Sequence, residues 1–258
     1  SSIIQNINDG GTIILNRSDR FFKLMLKQNF KKNLKVITFG NNKNADIFPI
    51  KKNLINGVDY FKISFFNEVL IIKSNGSKIL NILACLAVLK SLDLDIGKIK
   101  DFFLNFNSIE GRGKIFKIKM KNKAFKLIDE SYNANPLSVK EAINNLSKIK
   151  TLNNSKKYIL LGDMLELGKK SRLYHRQLSK YINNANIDKF FAIGNRIIDT
   201  YRFVKRNKRG NILHSEKDFE DVVQPILKQN DYLMIKGSNA TGLNMLSKRL
   251  IRGFGHAL

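Results

Sequence analysis

The part of this sequence that best indicates its fold is Leu127-Ile128-Asp129-Glu130-Ser131-Tyr132-Asn133-Ala134-Asn135-Pro136. The apolar run 125–128 predicts the end of a strand, and two carboxylates and several small polar residues follow it. Pro136 predicts a helix start, because proline fits the first turn, where its missing N–H would be unbonded anyway. Apolar residues at helical spacing then continue to about Ile149. The stretch therefore predicts a strand, a polar loop and a helix.

Two interpretations of the polar segment 129–135 stay open on composition alone. Asp, Ser and Asn are common turn and N-cap residues, so the segment is consistent with a capped turn that binds nothing. In an open α/β sheet, however, ligands bind at the carboxyl ends of the strands, which is where this segment lies. The residues alone do not separate a structural loop from a binding loop.

Strand and helix patterns alternate along the rest of the chain, which is typical of βαβ units and a mostly parallel sheet. Short alternating apolar stretches between residues 44 and 73 predict a β-meander at a sheet edge. Residues 95–106 predict an amphipathic helix. Polar residues then place a domain boundary near residue 108. We therefore expect an α/β chain with domains at 1–107 and 108–258.

Composition excludes several classes of protein. The chain has 258 residues, of which 43% are hydrophobic, so a packed core is expected and global disorder is not. No uninterrupted apolar run approaches the roughly 18 residues of a membrane-spanning helix. Cys85 is the single cysteine, which excludes an internal disulfide, and its apolar helical surroundings predict a small core residue. The three histidines show no metal-ligand spacing, so no metal site is predicted.

The formal net charge is +25, which makes a non-catalytic nucleic-acid-binding module one alternative. The lysines are spread along the whole chain, and no basic arm or aromatic RNA-binding motif is present. We interpret the basic surface as mostly a solvated face that attracts phosphate-bearing substrates in general. Tight nucleic-acid binding that survives moderate salt would favour the alternative instead.

Three motifs, in order, resemble those of the Mur ligases, and within that family those of the member that adds D-alanyl-D-alanine. They are Gly111-Arg112 followed by residues 128–136, then Leu161 to Gly168, and then Ile235 to Ser238. Residues 10–16 also resemble part of the family's central ATP-binding domain. The resemblance implies a partial central ATPase-domain sheet in 1–107. A Rossmann-like C-terminal domain with a mostly parallel sheet would follow in 108–258.

The resemblance implies an ATP-dependent ligase that is cytoplasmic and monomeric. It would add D-alanyl-D-alanine to UDP-N-acetylmuramoyl-tripeptide through an acyl phosphate, with ATP and Mg²⁺, in peptidoglycan synthesis, cell-wall biogenesis and cell division. No membrane and no specific nucleic acid are implied as partners. Another amino-acid-adding ligase of the same family is the nearer alternative.

A P-loop of the form G-x-x-x-x-G-K-[ST] is absent from the chain. The resemblance covers essentially all 258 residues but aligns them only with the second half of such a ligase. It places the P-loop, most metal ligands and a UDP-binding domain before the point that matches Ser1. We therefore expect this chain to be a fragment that does not turn over by itself.

Arg112 is the residue to which the resemblance gives a catalytic role, at the γ-phosphate of ATP. A guanidinium offers several fixed N–H donors to a phosphate, and the glycines on each side allow close backbone approach. The alternative is a linker arginine in solvent. Substrate contacts with the dipeptide or with a carboxylate of the nucleotide peptide are implied for the last motif, at Lys236 and Ser238.

Three further residues match ATP contacts of the family. Asn81 matches an adenine contact, although the histidine usually found shortly before it is absent here. Glu130 matches an acid that binds the ribose hydroxyls and that is Asp in many members. Asn133 is assigned to the same nucleotide, and Asn135 to the substrate. For these two asparagines, holding the loop is an equal alternative to lining the cleft.

Overall fold

The computed structural model describes residues 2–29, 32–99, 101–106, 109–120, 123–151 and 155–257. The chain divides into two compact units, Ser1–Asn107 and Ser108–Leu258, called here the first and the second unit. In the described part of the chain, no helix has the length and apolar character needed to cross a membrane.

The first unit contains a five-stranded sheet in the order β1-β2-β3-β4-β5. Its strands are β1 (Thr12–Asn16), β2 (Lys35–Phe39), β3 (Ile47–Ile55), β4 (Val58–Phe65) and β5 (Glu68–Ser74). Strands β1, β2 and β3 pair in parallel, whereas β3, β4 and β5 form an antiparallel meander. The predicted β-meander is therefore confirmed.

The helices of the first unit are α1 (Ser2–Gln5), α2 (Phe22–Asn29) and α3 (Ile79–Ser91). Helix α3 buries one side against the sheet, through Ile82, Leu83, Leu86 and Ala87. Cys85 lies on the opposite side and is exposed, so the prediction of a core cysteine was wrong. Although α3 is apolar nearly all round, only one side of it has a sheet to pack against within this unit.

The prediction of a helix over residues 95–106 was also wrong. The structure has two short 3₁₀ helices there, Ile96–Ile99 and Phe102–Leu104. The Asp95 carboxylate accepts a hydrogen bond of 2.8 Å from the N–H of Gly97. Such a local bond offers the backbone an alternative to α-helical pairing, and Gly97 adds a conformational penalty to a helix interior.

The second unit contains a seven-stranded sheet in the order β10-β9-β8-β11-β7-β6-β12. The strands are β6 (Lys114–Met120), β7 (Lys123–Asp129), β8 (Lys157–Gly162), β9 (Lys189–Ile193), β10 (Arg209–Leu213), β11 (Tyr232–Lys236) and β12 (Gly255–Ala257). The five strands from β10 to β7 are parallel, whereas β6 pairs antiparallel with β7, and β12 pairs antiparallel with β6. The predicted α/β class with a mostly parallel sheet is therefore confirmed.

Helices cover both faces of this second sheet. They are α4 (Pro136–Lys148), α5 (Ser171–Asn184), α6 (Ile198–Tyr201), α7 (Glu216–Asp218), α8 (Gln224–Ile226) and α9 (Leu243–Phe254). Ile159 and Leu161 of β8 pack in the core that contains α4 and α5, whereas Leu160 packs in the core that contains α9. The alternation along β8 shows that the strand is buried on both faces, as expected of a doubly wound sheet.

Helix α4 begins as the sequence predicts. The Asn135 side chain accepts a hydrogen bond of 2.8 Å from the N–H of Ser138, and Ser138 Oγ accepts one of 3.1 Å from the N–H of Asn135. Pro136 occupies the first turn. Further along, a π-helical turn, Phe219–Val223, precedes α8, in which Pro225 has no N–H to donate.

Lys157 is a buried cation at the amino end of β8. Only 2% of the residue is exposed, and its Nζ donates a hydrogen bond of 2.9 Å to the carbonyl of Ser147. Burial lowers the pKa of the Lys157 ammonium from its ordinary value of 10.5, and the charge of Asp188 opposes that shift. The folded protein therefore holds this proton less tightly than the unfolded chain.

We expect Lys157→Met to change how stability depends on pH. Between the lowered pKa and 10.5, the unfolded chain binds more protons at Lys157 than the folded chain does. The free energy of unfolding of the parent should therefore rise with pH in that window, and the variant should lack this rise. Urea unfolding of the full chain from pH 7 towards pH 10 measures the difference. Lys156→Met, at the exposed neighbouring position, is the control, and its free energy of unfolding should depend on pH as that of the parent does. If the free energy of unfolding of Lys157→Met rose with pH in parallel with that of the parent, the prediction would be wrong.

Candidate functional site

The carboxyl ends of β7, β11 and β8 bring the three sequence motifs together in the second unit. Strand β11 lies between β7 and β8 and pairs in parallel with both. The pairing extends beyond β7, because the N–H of Glu130 donates to the carbonyl of Ile235 at 3.0 Å. The N–H of Ser238 likewise donates to the carbonyl of Asp163 at 3.0 Å. The first, second and third motifs are therefore neighbours at one edge of the sheet.

Asp129 ties the Gly-Arg-Gly segment, residues 111–113, to the loop after β7. It is 2% exposed, and its Oδ2 accepts a hydrogen bond of 2.8 Å from the N–H of Gly111. Its Oδ1 accepts bonds from the hydroxyl and the N–H of Ser131, at 2.6 and 3.2 Å. The N–H of Gly113 donates to the Asp129 carbonyl at 2.7 Å. The segment that carries Arg112 is thus held along the end of β7.

Arg112 is exposed, and its guanidinium lies over the ring of Tyr132, with Cζ 4.4 Å from the ring centroid. The backbones of the two segments are joined by a hydrogen bond of 3.1 Å from the N–H of Tyr132 to the carbonyl of Gly111. A Cβ on Gly111 would lie only 2.7 Å from the Tyr132 nitrogen, and the φ of Gly111 is +77°. This approach therefore requires glycine at position 111.

Glu130 and Lys236 form an ion pair at the same edge. Lys236 Nζ lies 3.4 Å from Glu130 Oε2 and donates a hydrogen bond of 2.9 Å to the carbonyl of Asn133. The lysine side chain is 3% exposed and the glutamate side chain 23%. A Cβ on Gly113 would lie 3.1 Å from Glu130 Oε1, so this carboxylate is next to residues 111–113. The structure thus places both Glu130 and the segment that carries Arg112 beside the end of β7.

The other residues of the second unit that are predicted to bind the nucleotide or the substrate have internal contacts. Asn133 Oδ1 accepts from the N–H of Ala134, and Asn135 caps helix α4. Ser238 Oγ accepts from the N–H of Leu165 at 2.9 Å and is 3.4 Å from the Ala134 carbonyl. Together with the buried Lys236, these residues hold the loop that follows β7. Contact with a ligand stays a prediction for all four.

Asn81 lies in the first turn of α3, in the first unit, and is exposed. Its side of the helix is the one that also carries Cys85. Its predicted contact with adenine stays a prediction. Among the described residues of both units, no group of three or more His, Cys, Asp and Glu side chains could hold a metal ion.

A family model described as the Mur ligase, glutamate ligase domain matches residues 114–239. These residues run from β6 to the turn after β11 and contain the β7 loop, Asp163 and Lys236. Over these residues the chain is similar to the Mur ligase family. The match begins just after Arg112, so the Gly-Arg-Gly segment adjoins the matched domain.

The curated relatives extend the likeness to the Mur ligases along the chain. A UDP-N-acetylmuramoyl-tripeptide--D-alanyl-D-alanine ligase of Buchnera aphidicola subsp. Baizongia pistaciae is 27% identical over 262 residues. That alignment covers 99% of this chain and 54% of the relative, so the chain spans about half the length of that relative.

Solved Mur ligases share the fold. MurF from Acinetobacter baumannii gives a TM-score of 0.73 at 19% identity, covering 97% of this chain and 54% of that one. A MurF ligase from Thermotoga maritima, solved in complex with ADP, gives 0.68 at 20% identity, covering 97% and 56%. At these identities the likeness establishes the fold.

The second Mur ligase motif serves as a scaffold. Asp163 Oδ1 accepts hydrogen bonds from the N–H groups of Ile197 and Arg196 at 2.7 and 3.0 Å, and thereby fixes the turn after β9. The N–H of Met164 donates to His175 Nε2 at 3.0 Å, so the proton of this fully buried ring is on Nδ1, which faces the Ser171 carbonyl at 2.8 Å. These contacts position the loop between β8 and α5.

Two residues of the first Mur ligase motif were missed as parts of the site. From the sequence, Asp129 is considered only as part of the polar segment 129–135, and Tyr132 is given no role. The signal for Asp129 was its position as the last residue of an apolar strand, where a carboxylate must be paired if it is buried. No signal in the sequence pairs Tyr132 with Arg112, because the two residues are brought together only by the pairing of residues 111–113 with the β7 end.

Proposed function

We propose that the protein carrying this chain is an ATP-dependent ligase that adds D-alanyl-D-alanine to UDP-N-acetylmuramoyl-tripeptide in cytoplasmic peptidoglycan synthesis. The observation that carries the proposal is the arrangement of Arg112 and Glu130 beside the end of β7. An exposed guanidinium and a partly exposed carboxylate lie there on backbone that is fixed by Asp129. The name of the curated relative that aligns with 99% of the chain supports the choice of substrates.

The exposed cation and carboxylate fit a nucleoside triphosphate. A guanidinium presents planar N–H donors to phosphate oxygens, so we assign Arg112 to the terminal phosphate of ATP. A carboxylate accepts hydrogen bonds from vicinal hydroxyls, so we assign Glu130 to the ribose. Lys236 orients the carboxylate through their ion pair, at 3.4 Å. Asn81 in the first unit is assigned to the adenine.

The proposed reaction has two steps. The terminal phosphoryl group of ATP passes to the carboxylate of the tripeptide, which gives an acyl phosphate and ADP. The amine of D-alanyl-D-alanine then attacks the acyl carbon, and inorganic phosphate leaves. Arg112 would stabilise the charge that develops on the transferred group, since a donor fixed before the reaction needs no reorganisation. Mg²⁺ would neutralise the phosphates, and we assign it no ligand within the described residues.

A ligase assay on the gene product that carries this chain, expressed from its complete reading frame, tests the proposal. ADP release should require both UDP-N-acetylmuramoyl-tripeptide and D-alanyl-D-alanine. Release that is supported by a single amino acid, and not by the dipeptide, would assign the protein to another amino-acid-adding ligase. If neither acceptor supports release, the protein is not a ligase of this kind.

A further inference from the structure

We propose that Tyr132 is a positioning residue that holds the Arg112 guanidinium ready for a phosphate group before the nucleotide binds. This inference rests on the proposed function and adds a residue to its machinery. The two side chains stack with Cζ 4.4 Å from the ring centroid.

The backbone fixes the distance between the two residues. The N–H of Tyr132 donates to the carbonyl of Gly111 at 3.1 Å, one residue before Arg112. The N–H of Gly113, one residue after it, donates to the carbonyl of Asp129 at 2.7 Å. The Asp129 carboxylate holds the N–H of Gly111 as well, at 2.8 Å. The segment that carries Arg112 is therefore joined by hydrogen bonds, on both sides of the arginine, to the segment that carries Tyr132.

The ring of Tyr132 is not a core side chain. The residue is 48% exposed, whereas Tyr158 of the same unit is 3% exposed. An aromatic ring that stays half in solvent contributes little through burial, so its contact with Arg112 is the feature that distinguishes this position. An arginine on the surface otherwise samples many rotamers, and a ring beneath it reduces that number.

The geometry of stacking suits a phosphate-binding arginine. The five N–H donors of a guanidinium lie in its plane, whereas the ring contacts its face. Stacking thus restricts the side chain without consuming the donors that a phosphate needs.

Kinetics of the full gene product test the role. Tyr132→Leu removes the ring and is expected to lower kcat for ADP release by about 2- to 5-fold, the range of an exposed cation–π contact. The KM for D-alanyl-D-alanine should not change. Tyr132→Phe restores the ring and should recover most of the loss. In an Arg112→Ala background, Tyr132→Leu should have no further effect, because the residue acts through the arginine.

A matched stack elsewhere in the second unit provides the control. Arg176 lies over Phe203 with Cζ 4.1 Å from the centroid, and Phe203 is 46% exposed. Phe203→Leu should leave kcat at the parent value. A loss with Tyr132→Leu that persists without Arg112, or that Tyr132→Phe does not recover, would overturn the proposal.

The position of Arg112 can also be measured without turnover. The ¹⁵N order parameter of Arg112 Nε–H should fall in Tyr132→Leu and return in Tyr132→Phe, and Phe203→Leu should not change it. An unchanged order parameter in Tyr132→Leu would overturn the positioning role even if the protein is a ligase. If the parent shows no ligase activity, the proposed function fails, while this measurement still decides whether the ring restrains the arginine.

Discussion

Replacing Arg112 by alanine is expected to lower kcat for ADP release by about 10²–10³-fold, the loss typical of one preorganised donor to transition-state charge. The guanidinium is exposed and held over Tyr132, and we assign it to the transferred phosphoryl group. Because the side chain is exposed and its main described contact is the stack on Tyr132, the free energy of unfolding should fall by no more than about 1 kcal/mol. Steady-state kinetics and urea unfolding of the same preparations measure the two effects.

Two further variants test whether the effect depends on the planar N–H donors of the guanidinium at position 112. Arg112→Lys keeps the charge but loses the planar pair of N–H groups, so its kcat should lie between those of the parent and Arg112→Ala. Arg172→Ala removes another arginine of the second unit, one whose side chain is 80% exposed, and should retain parental kcat. If Arg112→Ala retained the parental kcat, the arginine would have no role in the reaction.

Asp129→Ala is expected to reduce the free energy of unfolding by about 2–4 kcal/mol, because it leaves buried donors without an acceptor. Those donors are the N–H of Gly111 and the N–H and hydroxyl of Ser131. Urea unfolding of the full chain measures the loss. The variant should also release residues 111–113 from the β7 end, which predicts faster amide hydrogen exchange at Gly111.

Asp129→Asn tests whether the carboxylate or only its shape is needed. An amide oxygen can still accept from Ser131, but the amide nitrogen would face the N–H of Gly111, so an intermediate loss is expected. Asp221→Ala, at an exposed position of the same unit, serves as the control and should change stability little. If Asp129→Ala were as stable as the parent, the described bonds would not hold the segment.

Local chemistry explains why the strand, loop and helix around residues 127–136 were predictable. Asn135, Pro136 and Ser138 each favour a helix start for a separate reason, and the structure shows all three acting together. The parallel sheet followed in the same way, since apolar strands that alternate with helical patterns have few other arrangements.

The parts of the site that sequence reasoning missed depend on contacts between distant segments. Asp129 and Glu130 are adjacent carboxylates, and only the pairing with residues 111–113 and β11 directs the first inward and the second towards Lys236. The side chain of Lys236 is buried against the loop after β7, a contact between segments that no local sequence pattern predicts. In the same way, Cys85 is exposed because α3 has a packing partner on one side only within its unit.

The place of β11 in the sheet has a consequence for synthesis on the ribosome. Lys236 meets Glu130 across 106 residues of sequence, and β11 inserts between two strands that emerge long before it. Until then, the apolar strands β7 and β8 each present an unpaired edge, the kind of surface that recruits chaperones or another nascent chain. Such non-local pairing also slows folding. The loop after β7 would thus be among the last parts of the second unit to mature, and translation stalled before residue 236 would leave an aggregation-prone intermediate.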